Sequence, residues 1–214
     1  MNRLLLLAAC AWPAILAAQA PPAAPDPKAD LARGEQLATQ VCAACHGPDG
    51  NSPTPANPNL AGQHADYITQ QLAHFKAGVR ENPVMQGIAA GMSPGDMRAV
   101  GLYYARQQPK GLAARDAALA KLGEALWRGG DAANAVPACS SCHSPTGAGI
   151  PKNYPRIGGQ YADYTYGQLR AFFLGERGMD KEGKDANGRI MNAIARSMTD
   201  TQMRAVAEYA AGLR

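Results

Sequence analysis

The chain has 214 residues, 46% hydrophobic and 18% charged, which suits one ordinary globular domain or two small ones and excludes a disordered tail or a membrane bundle. Its 2 Trp, 8 Tyr and 3 Phe stand against 23 Gly and 16 Pro, so something other than aromatic side chains must fill the core. The formal charge is +4, but the basic residues neither cluster nor interleave with aromatics, and no phosphate loop or Ser/His/Asp triad motif occurs, which argues against nucleic acid and against those enzyme classes.

Residues 1–18 read as a secretory signal: Arg3 is its only charge, Leu4 to Leu16 is apolar, and the small residues Ala17, Ala18 and Ala20 follow. Cleavage after Ala18 is favoured, because cutting after Ala20 would place Pro21 next to the scissile bond. The mature protein is therefore expected to be exported. Leu7-Ala8-Ala9-Cys10 offers a competing lipoprotein reading with a lipid anchor at Cys10, but it leaves too short an apolar run before the cysteine. No later stretch approaches the roughly 20 apolar residues that span a bilayer.

A helical pattern over Leu31 to Val41 leads into Cys42-Ala43-Ala44-Cys45-His46, and one over Ala117 to Arg128 precedes Cys139-Ser140-Ser141-Cys142-His143. Beyond Cys10 these two C-x-x-C-H motifs hold every cysteine. The pattern is the attachment site of c-type haem: both thiols add to the porphyrin vinyl groups and the following His lies under the iron. Two haem c are therefore expected, bound covalently through Cys42, Cys45, Cys139 and Cys142, with His46 and His143 as iron ligands. Disulfides, structural zinc and a thioredoxin-like pair compete, yet none explains a His after each second Cys, and 97 positions between the pairs far exceed the spacing of about 12 to 20 in zinc modules.

The same displacement of 97 superposes Pro58 on Pro155, Gly62-Gln63 on Gly159-Gln160, Ala65-Asp66-Tyr67 on Ala162-Asp163-Tyr164 and Gln71-Leu72 on Gln168-Leu169. Further on the displacement is 106, matching Met85 with Met191, Met92 with Met198 and Met97-Arg98-Ala99-Val100 with Met203-Arg204-Ala205-Val206. The nine extra residues fall around Gly178 to Gly188, a polar stretch expected to be an exposed loop. One unit is thus written twice, as domains 19–112 and 113–214, joined near Gln107 to Ala114 where Pro109 and Gly111 interrupt the helical pattern. Units this small are hard to stabilise alone, and a large apolar macrocycle would replace the missing aromatic core.

The second iron ligand must be sought in each unit. His64 and His74 correspond to Tyr161 and Ala171; they do not recur and read as ordinary, partly exposed histidines. Three methionines recur. Ser93-Pro94-Gly95-Asp96 and Thr199-Asp200-Thr201-Gln202 carry helix-start signals for closing helices over Pro94 to Gln107 and Asp200 to Leu213. Met92 and Met198 then precede the caps and Met97 and Met203 fall at the fourth helical position, a hydrophobic staple with its own packing reason. Met85 and Met191 are left, in segments read as irregular, and are assigned as the second ligands. Pro58 and Pro155 follow the ligand histidines by twelve residues, and their carbonyls are expected to accept the other ring N–H of His46 and His143.

Haem motif, Pro-x-Leu/Ile-x-Gly and a methionine before a closing helix, in order and twice over residues 31 to 213, make the chain resemble the class I cytochrome c family in tandem, most closely its dihaem cytochrome c4 members. The resemblance implies an all-α fold of two small helical domains, each around one haem with the haem edges close together. It also implies a periplasmic electron carrier serving redox proteins such as membrane oxidase or reductase complexes, toward a terminal oxidase, with peripheral membrane association as an option. One departure is the short stretch from Gly78 to Met85, where the second unit carries the longer loop.

Without the signal the net charge is +3, all of it in residues 113–214, which could steer the second domain toward an acidic partner. The resulting reading is a dihaem electron carrier rather than an enzyme. The rivals are a dihaem peroxidase or sulfur-compound dehydrogenase, disfavoured by two matching methionines, and a cytochrome subunit of a larger redox complex.

Overall fold

The computed structural model describes residues 27–214; the signal, its cleavage position and Cys10 lie outside them. The first unit runs through α1 (Pro27–Leu37), a π-helical turn (Ala38–Cys42), α2 (Ala43–His46), α3 (Ala65–Ala77), α4 (Pro83–Ala90) and α5 (Pro94–Ala105). The second repeats this order with α6 (Ala117–Gly129), a 3-10 turn (Ala132–Asn134), α7 (Ser140–His143), α8 (Ala162–Leu174), α9 (Ala186–Arg196) and α10 (Asp200–Gly212). Among the described residues the only β pairing is two isolated bridges, Asp131 with Val136 and Ile150 with Tyr154. No described helix is long and apolar enough to cross a membrane.

In each unit the first and last helices cross in close contact, α1 on α5 and α6 on α10. Glycine makes the crossing possible: a Cβ on Gly34 would stand 2.2 Å from the Ala99 carbonyl oxygen, and one on Gly123 would stand 2.0 Å from that of Ala205. The closing helices start where their sequences place them, with complete capping boxes at Ser93/Asp96 and Thr199/Gln202. Met92 and Met97 are buried in one core cluster and Met198 and Met203 in the other, so these four thioethers contribute packing. Burial of one such side chain is worth about 1.5–3 kcal/mol.

Two expectations need correction. Met85 and Met191 do not sit in irregular segments: α4 and α9 are helices. In α4 the Asn82 side chain accepts the Met85 N–H at 2.9 Å and Pro83 takes the first turn; in α9 Asp185 accepts the Gly188 N–H at 2.8 Å. The cap oxygens satisfy orphan N–H donors of each first turn and outweigh the Pro and Gly that suggested a loop. His74 is buried, not partly exposed. Of the extra residues of the second unit, Met179, Lys181, Glu182, Lys184 and Ala186 are exposed, whereas Asp185 is buried and turns inward until its Oδ2 lies 3.9 Å from His74 Nδ1.

The two units meet across a polar seam with approximate twofold character. Gln160 donates through Nε2 to the Asn59 carbonyl at 3.0 Å and accepts the Asn59 N–H at 2.9 Å. Gln63 makes the matching pair with Arg156, at 2.8 Å to its carbonyl and 2.9 Å from its N–H. Both amides are buried, so the seam is held by satisfied hydrogen bonds in a low-dielectric setting.

Candidate haem-binding sites

A continuous cavity of about 790 Å³ runs through both units. In the first unit Cys42, Cys45, His46 and Met85 line it, with Pro58 behind the histidine; in the second, Cys139, Cys142, His143 and Met191 do so, with Pro155. The helix that delivers His46 is continuous from α1 through the π turn, whereas α6 ends at Gly129 and a bridged turn intervenes before α7 delivers His143. Leu72 and Phe75 of α3, and Leu169 and Phe172 of α8, supply apolar wall.

His46 Nδ1 lies 2.9 Å from the Pro58 carbonyl oxygen and His143 Nδ1 lies 3.0 Å from that of Pro155. A carbonyl can only accept, so Nδ1 carries the hydrogen and the Nε2 lone pair is free. Burial holds both imidazoles below their ordinary pKa against the opposing pull of the carbonyl, which favours the neutral, ligating form. Burial likewise pushes the Cys42 thiol up and the Cys139 thiol up to about 11.

The far wall carries a second repeated cluster. Arg80 Nη1 donates to Gln71 at 2.8 Å, and its Nη2 donates to Tyr164 at 3.0 Å and Gln168 at 2.8 Å in the other unit. Arg177 mirrors it, donating to Gln168 of its own unit and to Tyr67 and Gln71 across the seam at 2.9 and 3.2 Å. Both guanidiniums are buried, stack over Phe75 and Phe172, and line the cavity. Among the described residues neither has a carboxylate at ion-pair distance, and Arg177 Nε is buried without an acceptor. Two buried cations with an unused donor call for an anion. Haem propionates have that chemistry, and the thiol pairs, free imidazole nitrogens, thioethers and apolar walls suit the rest of a covalently held haem.

Arg80 and Arg177 were not among the residues expected from the sequence, although they recur at the displacement of 97. That recurrence was the available signal, together with a long cationic side chain following a helix-ending glycine in each unit.

Paired units of this kind, each offering two thiols, an imidazole and a thioether to one apolar chamber, define a tandem c-type cytochrome. The cytochrome c family model matches twice, over residues 31–114 and 121–213. Cytochrome c4 of Pseudomonas aeruginosa is 40% identical over 186 residues, covering 86% of this chain and 89% of that protein. The thiosulfate dehydrogenase electron acceptor of Thiomonas intermedia is 38% identical over 173 residues, covering 79% and 77%. The crystal structure of reduced recombinant cytochrome c4 from Pseudomonas stutzeri superposes with a TM-score of 0.78 at 36% identity, covering 89% of this chain and all of that one. The chain belongs to the cytochrome c family, among the dihaem electron-transfer proteins of the cytochrome c4 type. It carries two haem c and its partners are redox proteins.

Proposed function

We propose that this protein is a periplasmic carrier that takes single electrons from one redox protein and delivers them toward a terminal oxidase. His46 and Met85 ligate the first iron and His143 and Met191 the second. Cys42 with Cys45, and Cys139 with Cys142, fix the porphyrins through thioethers, and the Pro58 and Pro155 carbonyls hold the ligating imidazoles. The supporting observation is that each histidine and its methionine border one chamber from different elements, α2 and α4 in the first unit, α7 and α9 in the second.

A bound haem supplies reversible one-electron exchange between ferric and ferrous iron. The chain's own part would be to supply an imidazole and a thioether ligand to each iron, which would deny the metal to small-molecule substrates, and to exclude water with the apolar walls. Thioether ligation together with imidazole would favour the ferrous state and raise the potential. The cavity is lined by residues of both units, which supports transfer between the two sites.

The name of the Thiomonas relative favours a dehydrogenase that oxidises a reduced sulfur compound as the electron donor. Export follows from residues 1–18, with the anchor at Cys10 as the alternative, and the mass of the mature protein separates the two.

The test is an optical redox titration of the purified holoprotein with haem quantified per chain. Two low-spin haems, each with the weak methionine-to-ferric-iron band that vanishes on reduction, and moderately positive potentials are expected. One high-spin or strongly negative haem would discard the carrier in favour of an enzyme.

A further inference from the structure

Gln63 and Gln160 recur in the repeat, are buried, and each makes two side-chain hydrogen bonds across the seam to the opposite unit. The peptide group each one meets is the informative feature. The carbonyl facing His46 Nδ1 belongs to Pro58, and the N–H of that same peptide plane is the Asn59 N–H, which donates to Gln160 Oε1 at 2.9 Å. In the other unit the carbonyl facing His143 Nδ1 belongs to Pro155, and its peptide N–H, on Arg156, donates to Gln63 Oε1 at 2.9 Å.

We infer that Gln160 and Gln63 are crossed positioning residues: each one tunes, through a single peptide group, the axial histidine of the opposite unit. Peptide N–H and C=O are joined by resonance. An acceptor on the N–H draws electron density toward the carbonyl oxygen, and hydrogen bonds in such a chain strengthen one another. The stronger acceptor pulls harder on the imidazole Nδ1–H, makes Nε2 a better donor and favours ferric iron at that site. Gln160 therefore lowers the potential of the haem held by His46, and Gln63 that of the haem held by His143.

Five further hydrogen bonds, of three kinds, hold this arrangement. Each Oε1 also accepts the N–H of the residue following its own glutamine, His64 or Tyr161, at 3.0 Å, which fixes the rotamer. Each Nε2 is held by the carbonyl of the residue after the proline, so the amide cannot turn its nitrogen toward the peptide N–H without losing that bond. Tyr161 also donates to the Ser52 carbonyl at 2.7 Å, keeping the second unit's loop against the first.

The inference rests on His46 and His143 being iron ligands, so its test first establishes that they are. The potentials of the two haems are resolved by spectroelectrochemistry and assigned by hyperfine-shifted proton resonances, in wild type and in Q160L and Q63L holoprotein. Haem content and both methionine-to-iron bands report on the ligands independently of the outcome. With those intact, Q160L is expected to favour reduction of the His46 haem several-fold and leave the His143 haem nearly unchanged; Q63L is expected to do the reverse. Q160E keeps an oxygen acceptor for the Asn59 N–H and is expected not to raise the His46 potential. If Q160L cannot be obtained with two haems, Q63L carries the mirrored test alone. Equal shifts at both haems, a shift confined to the mutated unit, or no shift would overturn the crossed assignment while leaving the carrier reading in place.

Discussion

The α-carbon of Gly34 faces the Ala99 carbonyl so closely that a Cβ would come within 2.2 Å of its oxygen, and Gly123 meets Ala205 in the same way at 2.0 Å. The atom met is backbone in the middle of a helix and cannot swing aside. Gly34→Ala and Gly123→Ala must therefore push α1 from α5, or α6 from α10, and each is expected to destabilise its unit by about 1–3 kcal/mol. Alanine is otherwise the better helix former by about 1 kcal/mol, so a stabilised variant in urea unfolding would contradict the close crossing.

Replacing the proposed ligand methionines separates chemistry from packing. Met85 is only partly buried against its cluster, whereas Met92 is a buried member of it. Met85→Ala is expected to abolish one methionine-to-iron band and lower one potential at modest cost in stability. Met92→Ala is expected to keep both bands and cost about 2–5 kcal/mol, the usual range for emptying a core methionine. Loss of the band in Met92→Ala with retention in Met85→Ala would exchange the two roles.

What the sequence makes legible here follows from what repeats in it. The C-x-x-C-H motifs are local chemistry, the capping boxes at Ser93 and Thr199 are local hydrogen bonding, and both are visible without tertiary context. Helices α4 and α9 were harder to see. Asn82-Pro83 is a cap followed by a first-turn proline, but in isolation it resembles a turn, and Gly188 sits inside the first turn of α9, where glycine normally argues against helix. The side-chain caps at Asn82 and Asp185 tip both segments into helix.

The seam was hidden for a different reason. Tyr67, Gln71 and Gln63 mark the repeat, yet nothing in their spacing says that each serves the opposite unit. A buried guanidinium without a carboxylate at ion-pair distance, as at Arg80, becomes conspicuous only once both copies are seen to share Gln71 and Gln168.

His74 and Asp185 give the seam a pH dependence whose sign can be stated. Burial holds His74 below its ordinary pKa, with Arg177 and Arg80 acting in the same direction, and Asp185 and Asp180 oppose the shift without cancelling it. In the unfolded chain this histidine titrates near 6.5. Above that pH both states hold it neutral and its contribution to stability is complete. As the pH falls below about 6.5 the unfolded chain takes up a proton that the folded chain resists, so stability declines. His74→Gln removes this titration while His64 and every other group remain, so the difference between the two proteins isolates it. Urea unfolding of wild-type and His74→Gln holoprotein at pH 7.5 and 5.5 is expected to show a larger acid loss for wild type. Equal losses would mean that Asp185 offsets the burial of His74 completely, and that the loop of the second unit presses on the first without a proton-linked cost.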